Sequence, residues 1–271
     1  MSDALRRYLR IQAELGGAEV ILSVSPTVQQ SDRVMEPPSD GPTVQPSDTP
    51  PAAAPKRSKD WRSDAPPIPG PGLTITSPGA GDLLAGIPPF ESLDDIARVV
   101  STCEKCALCR TRRNTVPGEG DPRARLMCVG EGPGETEDQT GRPFVGRAGE
   151  LLTAMLAAIE LPRESVFIAN VVKCRPPQNR KPLPDEMAAC LPYLRRQVQL
   201  IQPTVLLALG STAAEGLLGI KRSLTELRGK VHRWDGIPLI ITYHPAALLR
   251  NPNWKKPAWD DVRIARQLLG D

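Results

Sequence analysis

The segment TVLLALG, at residues 204–210, decides the fold class of this chain. It is a short, continuous apolar run rich in branched side chains, as is typical of a strand covered on both faces of a sheet. Three other segments share the pattern: RLMCVG (125–130), VFIANVV (166–172) and IPLIITY (237–243). Helical patterns alternate with these runs at 146–160, 184–201, 211–219 and about 259–269. The alternation predicts an α/β fold, a parallel sheet with helices on both faces.

The ends of these strands carry the unusual residues. In a parallel sheet, ligands bind beyond the carboxyl ends of the strands. The first run continues into the loop 130–135 (GEGPGE), whose glycines allow the backbone to approach a flat ligand closely. The second ends near Asn170 and Cys174, the third at Gly210 and the fourth at His244. We therefore expect the chemistry of the protein to lie on one rim of the sheet.

The first third of the 271-residue chain differs in composition. It holds half of the 30 prolines, and residues 23–89 show no apolar periodicity, which predicts a disordered linker. Residues 1–22 carry leucines at roughly helical spacing and predict a short amphipathic helix that docks on the domain or on a protein partner. The folded domain is expected at 90–271.

Charge and hydropathy narrow the class of protein. Arg6, Arg7 and Arg10 interrupt any apolar core of a signal peptide, and no run reaches membrane-spanning length. We therefore expect a cytoplasmic protein without a membrane partner. The net charge of +3 comes from the part after residue 90, where basic residues outnumber acidic ones. That balance permits contacts with nucleic-acid phosphates but does not establish them.

Six cysteines suggest a metal site more than a disulfide framework. Cys103 and Cys106 form a C-x-x-C pair that Cys109 extends, and Cys174 and Cys190 are candidates for the other ligands. Four cysteines at this spacing fit zinc and a [4Fe–4S] cluster equally well. Cys128 lies inside a predicted strand and is assigned to the core. Nearby cations, among them Lys173 and Arg112, are expected to contact phosphates.

Five segments together resemble the iron–sulfur uracil-DNA glycosylases numbered family 4. They are C-x-x-C at 103–106, VGEGPGETED-x-x-GRPFVGRAG at 129–149, NVVKCRPP-x-NR at 170–180, Cys190, and YHP-x-x-LLR at 243–250. The resemblance implies a three-layer α/β/α domain with a small central parallel sheet. It also implies a monomer that hydrolyses the N-glycosidic bond of deoxyuridine flipped out of single- or double-stranded DNA, the first step of base excision repair. The implied cofactor is a [4Fe–4S] cluster on Cys103, Cys106, Cys174 and Cys190.

The resemblance also assigns roles in base recognition. Uracil presents an acceptor at O4 and a donor at N3, which match the NH₂ and C=O of Asn170, whereas cytosine presents the reverse. Phe144 is expected to stack on the flipped base, and the backbone of Glu131, Gly132 and Pro133 to contact it. An acidic side chain, Glu131 or Glu137, is implied at the C5 edge, where it would obstruct a thymine methyl. The plain alternatives are an Asn170 that only caps its strand and a Phe144 in the core.

Catalysis requires a donor to the negative charge that develops on uracil O2, and His244 is the candidate. A neutral imidazole suffices for this hydrogen bond. Related glycosylases carry an aspartate where this chain has Gly132, so no general base is assigned, although Glu131 is a candidate. Leu248 and Leu249 are expected to form a loop that wedges into the duplex, with Arg250 near a phosphate; the alternative is the first turn of a buried helix.

Two other functions remain open. One is a zinc or iron–sulfur module that binds DNA without chemistry. The other is a protein that traps uracil-DNA covalently through a histidine in a basic loop, as a sister group does. The corresponding loop here, 178–182 (QNRKP), contains no histidine, which favours turnover.

Overall fold

The computed structural model describes residues 61–62, 64–76 and 90–270. Within them, seven strands form one sheet in the order β1-β6-β7-β5-β3-β4-β2. The strands are β1 Pro71–Ile75, β2 Glu119–Gly120, β3 Leu126–Gly130, β4 Phe167–Asn170, β5 Val205–Leu209, β6 Val231–Trp234 and β7 Ile237–Thr242. The helices are α1 Leu93–Ser101, α2 Glu135–Thr140, α3 Arg147–Ala158, α4 Pro184–Ile201, α5 Ser211–Leu218, α6 Leu224–Leu227, α7 Pro245–Arg250 and α8 Lys255–Leu268.

The four strands predicted from the sequence form the parallel centre of this sheet. Strand β3 pairs in parallel with β4 and β5, and β5 pairs in parallel with β7. Gly130 and Asn170 are register partners, so the ends of β3 and β4 lie side by side. Outside this centre the sheet departs from the prediction, since β2 runs antiparallel to β4 and β6 antiparallel to β7.

Helices cover both faces of the sheet, because successive side chains of each buried strand point to opposite sides. Along β3, Met127 and Val129 join one apolar cluster, whereas Leu126 and Cys128 join the other. The first cluster contains buried residues of α1, α4 and α5, and the second contains buried residues of α3 and α8. The predicted three-layer α/β/α architecture is therefore confirmed.

The predicted linker is wrong over part of its length. Residues Pro71–Ile75 form β1, which pairs in parallel with β6. The backbone N–H of Leu73 donates to Nδ1 of His232 at 3.0 Å, and Trp61 is buried against the second cluster. A proline-flanked segment can pair at a sheet edge, where it needs few backbone donors. The rest of 23–89 and the predicted helix at 1–22 lie largely or wholly outside the described residues.

The longest helix is α4, with 18 residues. Neither it nor any other helix in the described ranges combines the length and apolar character needed to cross a bilayer.

Candidate active site and cysteine site

A cleft of about 720 Å³ opens at the carboxyl ends of the four central strands. Its lining includes most of the predicted site residues: Glu131, Gly132, Pro133, Glu137, Phe144, Asn170, His244 and Arg250. Segments from three separate motifs thus meet at one rim, as a parallel sheet requires.

Asn170 ends β4 at the floor of the cleft. It is only 1% exposed, and its Oδ1 has no hydrogen-bond partner. A buried polar atom left unpaired costs about 1–3 kcal/mol, so this oxygen is poised for a donor from outside the protein. A β-carbon on the neighbouring Gly130 would lie 2.4 Å from that oxygen and 2.5 Å from the ring of Phe144. Glycine at 130 therefore lets the carboxamide of Asn170 and the ring of Phe144 both lie against the backbone at the end of β3.

Phe144 is held in a rare backbone conformation beside Asn170. Its φ is 50°, which non-glycine residues seldom adopt and which commonly marks a functional site. Arg163 donates to its carbonyl oxygen at 3.0 Å, and a β-carbon at Gly149 would lie 1.9 Å from the same oxygen. The ring is 5.6 Å from the ring of His244. Phe144 both lines the cleft and packs into the second apolar cluster, so it has a core role, and its stacking on a base stays a prediction.

Glu137 holds two loops together. Its Oε1 accepts hydrogen bonds from the N–H groups of Val145 and Gly146, each at 2.9 Å. Its Oε2 accepts from the N–H of Gly134 at 3.1 Å. Both carboxylate oxygens are therefore engaged in fixing the loops on either side of α2. This leaves Glu131, which is half-buried at the rim, as the candidate for the C5 edge of a base.

The imidazole of His244 is set up as a neutral donor. Its Nδ1 accepts the N–H of Ala246 at 3.2 Å as the N-cap of α7, so the ring proton lies on Nε2. Burial, and to a lesser extent the charge of Arg250, together lower the pKa of His244 to about 4, whereas the charge of Glu137 opposes the shift. The second histidine, His232, is buried between the N–H of Leu73 and the carbonyl of Leu227, a structural role.

The predicted wedge is wrong at Leu248. Residues Pro245–Arg250 form α7, and Leu248 is 0% exposed in the second apolar cluster. Leu249 is half-buried against the same cluster, and only Arg250 is exposed at the cleft. Helix spacing turns the leucines toward α3, with which α7 makes its main contacts. The alternative of a packed first turn describes this segment correctly.

Four cysteines line a second, much smaller cavity, close to α1 and α4. They are the predicted set, Cys103, Cys106, Cys174 and Cys190. Cys109 does not line this cavity, and Cys128 is buried in β3, where burial raises the pKa of its thiol to about 12. All six cysteines are free of disulfides.

Three of the four sulfurs already accept hydrogen bonds. Arg112 Nη1 donates to Cys174 Sγ at 3.3 Å, the N–H of Lys173 donates to Cys190 Sγ at 3.3 Å, and the hydroxyl of Tyr193 donates to Cys103 Sγ at 3.4 Å. Such donors stabilise thiolates at metal centres. In the described chain, however, no three His, Cys, Asp or Glu side chains converge closely enough to share one ion. Four cysteine thiols are the type of donor that both zinc and iron–sulfur clusters take.

Lys173 links the cleft to the cysteine cavity, and the sequence did not indicate this link. The prediction that it contacts phosphate is wrong, because the side chain is fully buried. Its Nζ donates to the carbonyl oxygen of Asn170 at 2.9 Å and to Oε1 of Gln197 at 2.6 Å. Burial lowers the pKa of Lys173 to about 8, against an opposing effect of Cys190. A lysine within the apolar run NVVKC was the available signal for burial.

The comparisons with known proteins agree with this arrangement. The family model described as "Uracil DNA glycosylase superfamily" matches residues 117–263. The type-4 uracil-DNA glycosylase of Thermotoga maritima is 50% identical over 183 residues, which cover 66% of this chain and 95% of that protein. The type-4 enzyme of Sulfurisphaera tokodaii is 48% identical over 188 residues, covering 66% and 86%.

A type-5 uracil-DNA glycosylase, from Thermus thermophilus, is less similar, with 36% identity over 149 residues that cover 48% of this chain and 68% of that protein. The family resemblance inferred from the motifs is confirmed. The chain belongs to the uracil-DNA glycosylase superfamily and, within it, to the type-4 uracil-DNA glycosylases.

Proposed function

We propose that this protein is a uracil-DNA glycosylase that hydrolyses the N-glycosidic bond of deoxyuridine flipped out of DNA. The observation that carries the proposal is the unpaired Oδ1 of Asn170, buried in a cleft that the Phe144 ring and the His244 imidazole also line. Family membership supplies the substrate class, and the cleft supplies groups that suit it.

Asn170 would select the base by its Watson–Crick edge. Its Oδ1 would accept the N3–H of uracil while its NH₂ donates to O4. Lys173 restrains the main chain at this point by its bond to the Asn170 carbonyl oxygen. Cytosine would face the same carboxamide with its donor and acceptor exchanged, at a cost of about 1–3 kcal/mol for each unpaired group.

The flat faces and the C5 edge of the base would contact Phe144 and the loop that contains Glu131. Phe144 offers a ring for stacking, an interaction worth about 1–3 kcal/mol per base. The backbone of Glu131, Gly132 and Pro133 would lie against the base, and a β-carbon at Gly132 would come 2.7 Å from Val172. The Glu131 side chain would stand where thymine carries its methyl group.

His244 would stabilise the leaving group. As the glycosidic bond breaks, negative charge develops on O2 of the uracil, and a donor aimed at that oxygen lowers the barrier. Nε2–H of His244 is such a donor, and a pKa near 4 keeps the ring neutral, so that it hydrogen-bonds the anion. Glu131, whose carboxylate is not held by loop N–H groups of the described chain as that of Glu137 is, is the candidate to orient the attacking water or offset the sugar cation; we assign no general base.

The direct test is single-turnover cleavage of a uracil oligonucleotide by variants at the two polar residues. We expect His244→Ala to lower the rate by roughly 10²- to 10³-fold with little change in DNA binding. Asn170→Asp should also reduce uracil cleavage, and any new activity on cytosine should grow at acid pH, where the carboxyl group is protonated. Wild-type rates in both variants would refute this assignment of the active site.

We further propose that Cys103, Cys106, Cys174 and Cys190 hold a [4Fe–4S] cluster. Support comes from the single cavity that these four line and from the hydrogen bonds that three of their sulfurs accept. The bound cluster would cross-link the segment that follows α1, the segment that follows β4, and α4. Lys173 donates its backbone N–H to Cys190 and its Nζ to the carbonyl oxygen of Asn170. Through Lys173, the cluster would therefore help to position the strand end that carries Asn170.

Cysteine variants test the cluster. Each of the four changed to serine should lose iron or solubility, whereas Cys109→Ser and Cys128→Ser should retain iron. Protein purified anaerobically should be yellow-brown, with iron measurable by elemental analysis. Stoichiometric zinc without iron would show that the site is of another kind.

The loop at 178–182 favours turnover over covalent trapping. It lacks histidine, and its cations are engaged within the protein. Arg180 forms a two-pronged contact with Glu186 at 2.8 and 2.7 Å, and Lys181 contacts Glu215 at 2.6 Å. DNA is the proposed partner; a monomeric state, a cytoplasmic location and a protein partner for residues 1–22 stay predictions.

A further inference from the structure

A tryptophan stands exposed at the mouth of the cleft. Trp254 belongs to the single turn Pro252–Trp254 that connects α7 to α8, and it lines the cleft together with Arg250. It is 38% exposed, whereas Trp61, Trp234 and Trp259 are all buried. Among the large apolar side chains that are exposed in the described chain, it is the aromatic one.

The ring is mounted on a rigid support. Trp254 and Tyr243 stack with their centroids 4.8 Å apart and their planes 7° from parallel. Cζ of Arg228 lies 4.3 Å from the centroid of Tyr243, and Arg228 is itself fixed by Asp261 at 2.8 Å and by the carbonyl of Pro257 at 2.9 Å. Tyr243 directly precedes His244, so this stack connects the outer rim to the proposed catalytic histidine.

These features match how proteins bind single-stranded nucleic acid. Such grooves combine cations that follow the backbone with aromatic rings on which bases stack. Here Arg250 is exposed beside Trp254, and both line the same cleft. A base that leaves a DNA stack also strips its neighbour of a stacking partner, so an adjacent aromatic surface would stabilise the opened strand.

We propose that Trp254 is a stacking platform for the nucleobase adjacent to the flipped uracil on the same strand. This inference rests on the proposed function, because it requires the uracil to occupy the cleft. Stacking does not depend on base identity, so the platform strengthens binding of the strand without choosing its sequence. We expect Trp254→Ala to weaken binding of a uracil-containing single strand by about tenfold, within the range of base–aromatic stacking. Trp254→Phe, which keeps an aromatic face, should recover most of the loss.

The test couples the protein change to a DNA change. The probe is a single-stranded oligonucleotide carrying 2′-fluoro-deoxyuridine, which resists cleavage, with either natural neighbours or an abasic tetrahydrofuran in place of the 5′ or the 3′ neighbour. Kd is measured with the full-length wild type, Trp254→Ala and Trp254→Phe. On one side of the uracil, the spacer should weaken wild-type binding by the factor that Trp254→Ala costs. With that spacer in place, Trp254→Ala should cause no further loss.

Lys256→Ala is the matched control, since Lys256 is exposed two residues away and carries a charge without a flat ring. Any loss it causes should be equal on natural and spacer strands. The proposal fails if Trp254→Ala binds like the wild type or if its penalty persists on both spacer strands. It also fails if the saturating cleavage rate drops while Kd stays constant, which would indicate a role in positioning His244. Cleavage of an ordinary uracil strand by the wild type is run in parallel, because its absence would refute the proposed function instead.

Discussion

The imidazole of His244 is kept uncharged by its surroundings. Burial and the nearby charge of Arg250 both disfavour the imidazolium, and Nδ1 is occupied by the N–H of Ala246. Protonation would therefore place a poorly solvated charge on the imidazole, and it would also remove the Nδ1 acceptor that caps α7. The same environment that suits His244 to donate to a developing anion ties the stability of the fold to pH.

This pH dependence can be measured. The pKa of His244 falls from 6.5 to about 4 in the folded protein, so between these values the unfolded chain binds the proton more strongly. The contribution of neutral His244 to the free energy of unfolding should be fully present above pH 6.5 and should decrease as the pH falls toward 4. Urea unfolding of the wild type and of His244→Gln at several pH values isolates the effect. The difference between the two proteins should change across this window; a constant difference would contradict a neutral His244 with a lowered pKa.

Glu137 shows how one side chain organises two elements. The N-cap residues of α2 and α3 are glycines, Gly134 and Gly146, which have no side chain to cap the helices. The carboxylate of Glu137 accepts an N–H at each of these starts, and in doing so it positions the loop that carries Phe144. Negative charge near the N-terminus of a helix is also favourable to its dipole.

We expect Glu137→Gln to destabilise the protein and reduce cleavage. The amide NH₂ cannot accept from a backbone N–H, so at least one donor is left unpaired, at a cost of about 1–3 kcal/mol. Thermal melting and single-turnover rates on uracil DNA measure the two effects. The control is Glu135→Gln, because the Glu135 side chain is 65% exposed and its ion pair with Arg175 is long, at 3.7 Å. This change should alter the free energy of unfolding by no more than about 0.5 kcal/mol. Equal melting temperatures for both variants would mean that Glu137 does not hold the loops.

Residues Pro245–Arg250 form helix α7 and not the predicted exposed loop, because they pack against α3. The sequence AALLRNP carries a helix stop at Asn251-Pro252, and a short helix and an exposed loop are both compatible with that signal. Contact with α3 decides between them, because it gives Leu248 a buried site. The exposed aromatic at the cleft is Trp254, and it comes from the turn that follows.

For the whole molecule, strand β1 extends the sheet beyond the motifs that identify the family. The family model begins at residue 117, whereas β1 pairs with β6 at the far edge of the sheet. Strand β1 also packs closely against His232, since a β-carbon added at Gly72 would lie 2.6 Å from the imidazole ring. The folded unit therefore includes residues ahead of 90.

Two truncations test this boundary. A protein that starts at residue 61 should melt close to the full-length protein, because it retains Trp61 and β1. A protein that starts at residue 86 loses β1 and leaves Nδ1 of the buried His232 without the N–H of Leu73, so it should melt several degrees lower. Iron content serves as a check that the cysteine site survives in both. Equal melting temperatures would place β1 outside the stable domain and restore the original boundary near 90.

The sequence by itself determined the four central strands, their order of appearance and the rim on which Asn170 and His244 meet, whereas Phe144 was added by the family resemblance. These follow from local apolar runs and from the rule that parallel strands present their carboxyl ends together, and neither needs knowledge of distant contacts. The cysteine set was also readable, because the spacing of C-x-x-C is local and the family resemblance named the other two.

Tertiary structure alone decided which polar groups are engaged and which are free. Glu137 and Glu131 look alike in sequence, yet one binds three backbone N–H groups and the other lies at the rim. Lys173 resembles a phosphate contact until its burial is known, and β1 and α7 depend on partners far away in the chain. The physical reason is that burial and hydrogen-bond satisfaction are set by neighbours in space, and periodicity along the chain does not contain them.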